Sequence, residues 1–408
     1  MASSGDVPAF LHPFARPANT AFITMVGGRG AEVWDRDGRH YVDGMASLWY
    51  AAAGYGRTEI ADAAHRQLTE LAAFSCFEPF TNEPAEELAE LLVDLAPVPG
   101  SRVFFTSSGS EAVDSAMKLA RIAHVQAGHP ERTLVLSRDR AYHGVTYGGT
   151  SAQGLPLNRQ GFGPFVDDVV NLPADDIEAW ASFLAEHGDR VAAIMTEPVQ
   201  GAGGVYPPPD GFLAGLRRLA DQHGCYLVFD EVICAFGRLG RWFGAQRFDV
   251  QPDLLTFAKA VTSGYVPLGG VLVAPSVRGP LEADPAWTLR HGHTYSGHPT
   301  ACAAALANLA VMREEELVER APLIGERLFG GFRALADDGQ VAEVRSDGAV
   351  GALRLRPETN ALEVRDALLG HGVLTRAVNA ETLTWCPPLV TTDDQIDQIV
   401  DAVATALA

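Results

Sequence analysis

Lysine is nearly absent from this chain of 408 residues: of 31 basic side chains only Lys118 and Lys259 are lysine, and the other 29 are arginine. Positive charge is scarce overall, with 51 acidic residues giving a net charge of −20, so a nucleic-acid partner or an anionic membrane surface would be repelled. The five cysteines, Cys76, Cys225, Cys234, Cys302 and Cys386, are odd in number, widely spaced and without a C-x-x-C pair. That excludes a disulfide framework or a cysteine zinc cage and leaves them as small buried apolar residues. Long apolar runs are also missing. The longest, over residues 301–312, is broken by Asn308 and is too short to cross a bilayer. The opening Met1-Ala-Ser-Ser-Gly-Asp6 lacks the basic-then-apolar pattern of a secretory signal, and a cytoplasmic location is expected. No G-x-G-x-x-G stands between a strand and a helix, which argues against a dinucleotide-dependent oxidoreductase. A guanidinium stays protonated, so a chain that keeps lysine at two sites raises the question of an amine that must lose its proton and attack a carbonyl.

What is present is an α/β rhythm. Residues 102–106, 133–137, 191–196, 226–230, 254–258 and 269–274 are short β-branched or aromatic runs, the pattern of strands buried on both faces. Between them, residues 59–71, 85–95, 111–127, 177–186 and 211–223 carry apolar side chains at spacings of three and four, the pattern of amphipathic helices. This predicts a large domain over 48–290, with a mostly parallel sheet sandwiched by helices and a site at the carboxyl ends of the strands. Residues 1–47 and 291–408 are expected to form together a smaller α+β domain. It would take helices at 299–314, 317–336 and 361–369, strands at 341–344, 351–355, 373–375 and 382–385, and a closing helix from Asp393. N-terminal strands at 32–34 and 40–43, joined by a turn over 35–39, would complete it.

Several short stretches at predicted strand ends could carry chemistry. Ser107-Ser108-Gly109-Ser110-Glu111-Ala112 follows a strand and opens a helix, so backbone N–H groups, hydroxyls and the positive helix end converge where a phosphate would fit. Taken alone, an ordinary helix cap, Ser followed by an early Glu, is the preferred reading of this stretch. Asp230 ends the apolar run Tyr226-Leu-Val-Phe and needs a permanent cationic partner, either a protonated heteroaromatic nitrogen of a cofactor or a distant arginine. Lys259 leaves the apolar run Leu254-Leu-Thr-Phe-Ala258, where desolvation would favour the neutral, nucleophilic amine. A lysine snorkelling to solvent is the alternative. Tyr142-His143-Gly144 could stack a ring on a flat cofactor, and Glu197-Pro-Val-Gln-Gly201 sits similarly past its strand. His291, His293 and His298 lack a nearby carboxylate, so no metal site is expected.

A phosphate loop, a stacking aromatic, a pyridinium-binding Asp and a Schiff-base Lys, in this order, describe a pyridoxal phosphate site. The chain resembles the class III aminotransferases of pyridoxal phosphate fold type I over essentially its whole length. The resemblance is carried by Ser108-Gly-Ser-Glu-Ala112, Tyr142-His-Gly144, Glu197-Pro-Val-Gln200, Asp230-Glu-Val232, Lys259 and Thr294-Tyr-Ser-Gly-His-Pro299. Asp230 to Arg238, Trp242-Phe-Gly244, Gly264 to Gly269, Leu11 to Phe14 and Leu48-Trp49 are similar to the amine:pyruvate and β-alanine:pyruvate group, often called ω-transaminases. Ile233 stands where ornithine- and 4-aminobutyrate-type members usually carry Gln.

The resemblance implies an enzyme that moves an amino group from a primary amine or ω-amino acid to a 2-oxo acid, with pyruvate the expected acceptor, by a ping-pong reaction. It implies that Lys259 forms the Schiff base and then shuttles the proton, and that Asp230 keeps the pyridine nitrogen protonated. His143 and Glu197 belong to the matching cofactor motifs, as does Ser108. Tyr142 and Val232 would sandwich the ring, and Gly109 with Ser110 would bind the phosphate. Thr294 would reach the phosphate of a neighbouring subunit, making the enzyme a homodimer, with pairing of dimers into tetramers left open. Leu48, Trp49, Ala202 and Phe77 would wall the substrate pocket, and Arg376 would clamp a carboxylate. Aminomutases, racemases and decarboxylases of the same fold form the alternative. The region between Pro164 and Val191 is compact and Trp385-Cys386 replaces smaller residues before Pro387, so the pocket is the part where this chain departs most.

Overall fold

The computed structural model describes residues 8–408. The opening hexapeptide read above for a targeting signal lies outside them. A seven-stranded sheet forms the centre, in the spatial order Arg102–Thr106, Gly269–Val273, Leu254–Phe257, Tyr226–Asp230, Val191–Thr196, Leu134–Arg138, Val169–Leu172. All strands run parallel except Gly269–Val273, which pairs antiparallel with both neighbours. Strands of this kind are buried on both faces. Every residue of Val191–Thr196 and Leu254–Phe257 is buried, which explains why they are apolar apart from Thr196 and Thr256.

Helices cover the sheet because their apolar stripes have nowhere else to go. Gly109–Gln126 is the longest of these. Its N-cap, Ser108, accepts a hydrogen bond from the Glu111 N–H at 3.2 Å, and the Glu111 carboxylate accepts from the Ser107 N–H at 2.7 Å. Its buried face, Ala112, Val113, Ala116, Leu119, Ala120 and Ala123, is rich in alanine and lies close on the strands.

Two smaller sheets flank this unit. One joins Met25–Arg29, Glu32–Asp35 and His40–Asp43 to Val373–Leu374, which runs parallel to His40–Asp43. The other is antiparallel and joins Glu343–Asp347, Val350–Arg354, Thr382–Trp385 and Arg376–Ala377. Helices Leu317–Asp337, Ala361–Gly370 and Asp393–Leu407 pack beside it. The strand expected over 373–375 is found as Val373–Leu374, and a further short strand that was not expected, Arg376–Ala377, follows it in the other sheet. Strands Met25–Arg29 and Val169–Leu172 are additional to those expected. The first carries two glycines and the second is a half-buried edge strand of four residues, so neither has a strong apolar signature. Among the described residues no helix is long and apolar enough to cross a membrane.

Helix Pro299–Glu314 lies against Thr58–Glu70 and Glu83–Leu95 and carries one polar side chain inward. The Asn308 amide donates to the carbonyls of Ala260 and Val261, at 2.9 and 3.0 Å, in the turn that follows Lys259. Both carbonyls belong to buried residues, and among the described residues only that of Ala260 has a further donor, the Ser263 N–H at 3.2 Å. Asn308→Ala is therefore expected to lower the unfolding free energy by about 2 kcal/mol, read from urea denaturation, because the buried Val261 carbonyl is left without a partner and the Ala260 carbonyl loses one of its donors.

Candidate active site

The carboxyl ends of the central strands open into a cavity of about 740 Å³. Of the residues singled out from the sequence, Leu48, Trp49, Ser108, Gly109, Ser110, Tyr142, His143, Glu197, Ala202, Asp230, Val232, Lys259 and Arg376 all line it. Phe77 and Thr294 do not. Both lie on the exposed surface by the 292–297 segment, where Phe77 packs beside Gly292.

Asp230 ends its strand at the cavity floor. One carboxylate oxygen accepts from the Val232 N–H and the Thr256 hydroxyl, both at 3.1 Å, and the other meets His143 Nδ1 at 2.8 Å. The distant arginine considered as a partner is not there. The His143 ring is fully buried and its Nε2 has no partner. Thr256 escaped notice in the sequence, although a lone hydroxyl within the otherwise apolar Leu254–Phe257 was a readable signal. Lys259 stands at the end of the adjacent strand with φ of +49°, a conformation that non-glycine residues seldom adopt and that clusters at functional sites. Burial pushes its amine below the ordinary lysine range, while Asp230 and then Glu197 pull in the opposite direction.

The helix cap that the sequence allowed at the serine loop is formed. Ser108 is spent on the helix cap, and the Ser110 hydroxyl accepts from the Val145 N–H at 3.0 Å. The first-turn N–H groups of Gly109 and Ser110 point outward from an 18-residue helix, at its positive end. Gly144 has φ of +91°, and a Cβ there would come within 2.5 Å of Ser110 Oγ, so glycine is what lets the two loops touch. Glu197 is buried and bridges two backbones, accepting from the Tyr142 N–H at 3.0 Å and from the Gly201 N–H at 2.8 Å. Burial raises its carboxyl, with His143 acting against that.

The upper walls are more apolar. Phe14, Tyr50, Leu155, Pro156, Leu157, Ile233 and Val378 join the residues expected there, and sequence reasoning had not singled out 155–158 as a rim. Arg376 reaches the cavity from the antiparallel sheet. Among the described residues no carboxylate lies within ion-pairing distance of its guanidinium, which burial pushes below the ordinary arginine range. Of the histidines, His291 approaches Lys118 at 2.9 Å and both His291 and His293 approach Ser115, at 2.9 and 3.2 Å. Among the described residues no three His, Cys, Asp or Glu side chains group as metal ligands would.

A desolvated lysine, a buried carboxylate at the end of the adjacent strand, a tyrosine and a valine lining the same cavity, and a helix N-terminus are the parts that pyridoxal phosphate requires. The cofactor fits on the chain's own terms, because Asp230 faces the cavity without a lysine or arginine against it. The model of the class-III aminotransferases matches residues 14–407, and the chain belongs to that family, whose members depend on pyridoxal phosphate. A putrescine–pyruvate aminotransferase of Pseudomonas aeruginosa is 36% identical, over 91% of this chain and 87% of that one. An omega-aminotransferase of Caulobacter vibrioides is 35% identical over 99% and 98%. The crystal structure of a transaminase from the marine bacterium Virgibacillus superposes with a TM-score of 0.94 at 37% identity, covering 98% of this chain and 96% of that one. The protein is a pyridoxal phosphate-dependent aminotransferase of fold type I.

With only two lysines, the reactivity of Lys259 can be read directly. Reductive alkylation of cofactor-free protein with a small aldehyde, located by peptide mass, should modify Lys259 with a half-maximal rate at a pH below 10.5. The neutral amine is the reactive form, and burial makes it available at lower pH than for a solvated lysine.

Proposed function

We propose that the enzyme takes its amino group from a primary amine or an ω-amino acid and delivers it to pyruvate, in a ping-pong reaction in the cavity described above. Arg376 is the observation that carries this reading. An unpaired guanidinium in a pocket with otherwise apolar upper walls is a site for a carboxylate, held by paired charge-assisted hydrogen bonds, while the surrounding Leu48, Trp49 and Ala202 suit an apolar amine. The Pseudomonas relative named for putrescine and pyruvate supports the acceptor.

When bound, the cofactor supplies an aldehyde that takes up the amino group and a pyridinium ring that draws electrons from the substrate carbon. The chain's residues do the rest. Lys259 Nζ would hold the cofactor covalently, and its amine when free would move the proton at the substrate carbon. Asp230 would keep the ring nitrogen protonated, while His143 and Thr256 keep Asp230 aimed. Tyr142 and Val232 would enclose the ring, the Gly109 and Ser110 N–H groups with the Ser110 hydroxyl would hold the phosphate, and Ser108 keeps that helix end in shape. Glu197 ties the Tyr142 loop to the Gly201 turn. The reading also includes a cytoplasmic homodimer in which Thr294 and Phe77 serve a second copy's site. It is supported by the exposure of Phe74, Phe77, Phe80 and Tyr295, between 51% and 63%, on the surface that carries them.

Lys259→Ala should lower turnover by at least about a thousandfold and remove the visible band of the linked cofactor, with far-ultraviolet circular dichroism unchanged. Arg376→Ala should cut kcat/KM for β-alanine and for pyruvate by about 10- to 100-fold while sparing the half-reaction with 1-phenylethylamine. Equal losses for all three would remove the clamp role.

A further inference from the structure

One wall of the cavity is a turn that its own sequence does not favour. Residues 201–205 fold back so that Gln200 and Tyr206 pair, with the Gly204 and Val205 N–H groups both donating to the Gly201 carbonyl at 3.0 Å. Ala202 and Gly203 face the cavity from this turn. Val205 is fully buried and has φ of +50°. For a β-branched residue that conformation is an outlier and persists only when the surroundings impose it.

The surroundings that impose it lie outside the cavity, in Arg345. This side chain comes from strand Glu343–Asp347 of the antiparallel sheet and is only a tenth exposed. Its Nε donates to the Val205 carbonyl at 3.1 Å and its Nη2 to the Gly204 carbonyl at 2.9 Å, so the planar fork spans the strained residue and the one before it. Its remaining nitrogen is held by Glu343 at 2.6 Å, which leaves the guanidinium no freedom to turn away. The ring of Tyr206, which closes the turn, is clasped between two cations: the Arg345 guanidinium lies 4.2 Å from its centroid and that of Arg140 lies 4.1 Å from it. Arg140 is in turn paired with Asp175, and its carbonyl oxygen is packed so tightly on Gly203 that a Cβ there could not be accommodated.

We infer that Arg345, acting with Tyr206 and Arg140, is a positioning residue that sets donor selectivity by holding the 201–206 turn in its strained form. None of its atoms needs to touch the donor. It fixes where Ala202 and Gly203 stand, and a wall released from the fork discriminates less between slim and bulky donors. The inference rests on the reading of Ala202 as a substrate wall, and its test separates the two.

The test uses cofactor-loaded enzyme and the slimmest and bulkiest primary amines the wild type accepts. The rate at which each amine bleaches the visible cofactor band is followed without any acceptor, alongside thermal melting. Arg345→Ala and Tyr206→Leu should each shift the bulky-to-slim ratio of second-order rate constants by at least about fivefold, with the cofactor band intact and the slim donor within about twofold of wild type. Ala202→Val, which alters the wall directly, should shift the same ratio. A shift in Ala202→Val with none in Arg345→Ala would overturn the holding role and leave the wall standing. An unchanged ratio in Ala202→Val would overturn the wall and the inference together. Equal slowing of both donors in Arg345→Ala, with a fall in melting temperature, would reduce Arg345 to a structural residue.

Discussion

A carboxylate placed at the bottom of an apolar crevice needs a partner for each of its lone pairs, and the site is organised by how Asp230 obtains them. The Val232 N–H comes from the loop just after the strand, the Thr256 hydroxyl from the adjacent parallel strand, and His143 from the loop after Leu134–Arg138. Three separate segments are therefore bound to one acidic group. The same adjacency of strands brings Lys259 beside it, since Asp230 and Thr256 are register partners and Lys259 lies three residues beyond Thr256. Moving any of these strands by one residue would turn the carboxylate away from the cavity, because side chains alternate between the faces of a sheet.

Around this floor the structure changes character. The groups proposed to meet the cofactor sit mostly at strand ends or on the first turn of a long helix, which are stiff places in the fold. The groups proposed to meet the substrate sit on the strained 46–49 bend with Leu48 and Trp49, on the 201–205 turn with Ala202, and, for Arg376, on a two-residue strand at the edge of the antiparallel sheet. Each is fastened by contacts made elsewhere. The 46–49 bend, for example, is held by the buried Asp43 carboxylate, which accepts from the Met45 and Ser47 N–H groups at 2.8 and 2.6 Å. A rigid chemical floor with separately fastened walls lets donor preference vary without disturbing the chemistry.

This contrast explains what could be read from the sequence. Strand cores such as Val191–Thr196 and Tyr226–Asp230 were legible because burial on both faces leaves an uninterrupted apolar run with a chemically distinctive residue at its end. Asp230, Lys259 and the Ser107 to Ala112 loop stood out for the same reason. Strand Met25–Arg29, with its paired glycines, carried no such signal, and Arg376–Ala377, which pairs with Thr382–Trp385 in a different sheet from Val373–Leu374, is too short to leave one. The rim at Leu155 to Asn158 and the role of Arg345 were not legible at all. They arise from contacts across 140 or so residues that leave no periodic trace, such as Arg345 on Val205. Arg140, one of many arginines, looked no different from the others.

The antiparallel strand Gly269–Val273 has a meaning for how the chain is made. Among the described residues it is the sole sheet neighbour of Arg102–Thr106, the strand that leads into the helix from Gly109, and one edge of His40–Asp43, whose other edge pairs with Glu32–Asp35, waits for Val373–Leu374. On a ribosome, the first of these strands leaves the exit tunnel with its hydrogen-bonding edges bare and keeps them so until a further stretch of more than 160 residues has been synthesised. The second waits nearly to the end of translation. Closure of such distant pairs is entropically slow, and bare apolar edges invite association between nascent chains. The order of synthesis thus places a demand on this chain, protection of strand edges that await distant partners, which is separate from the stability of the finished fold.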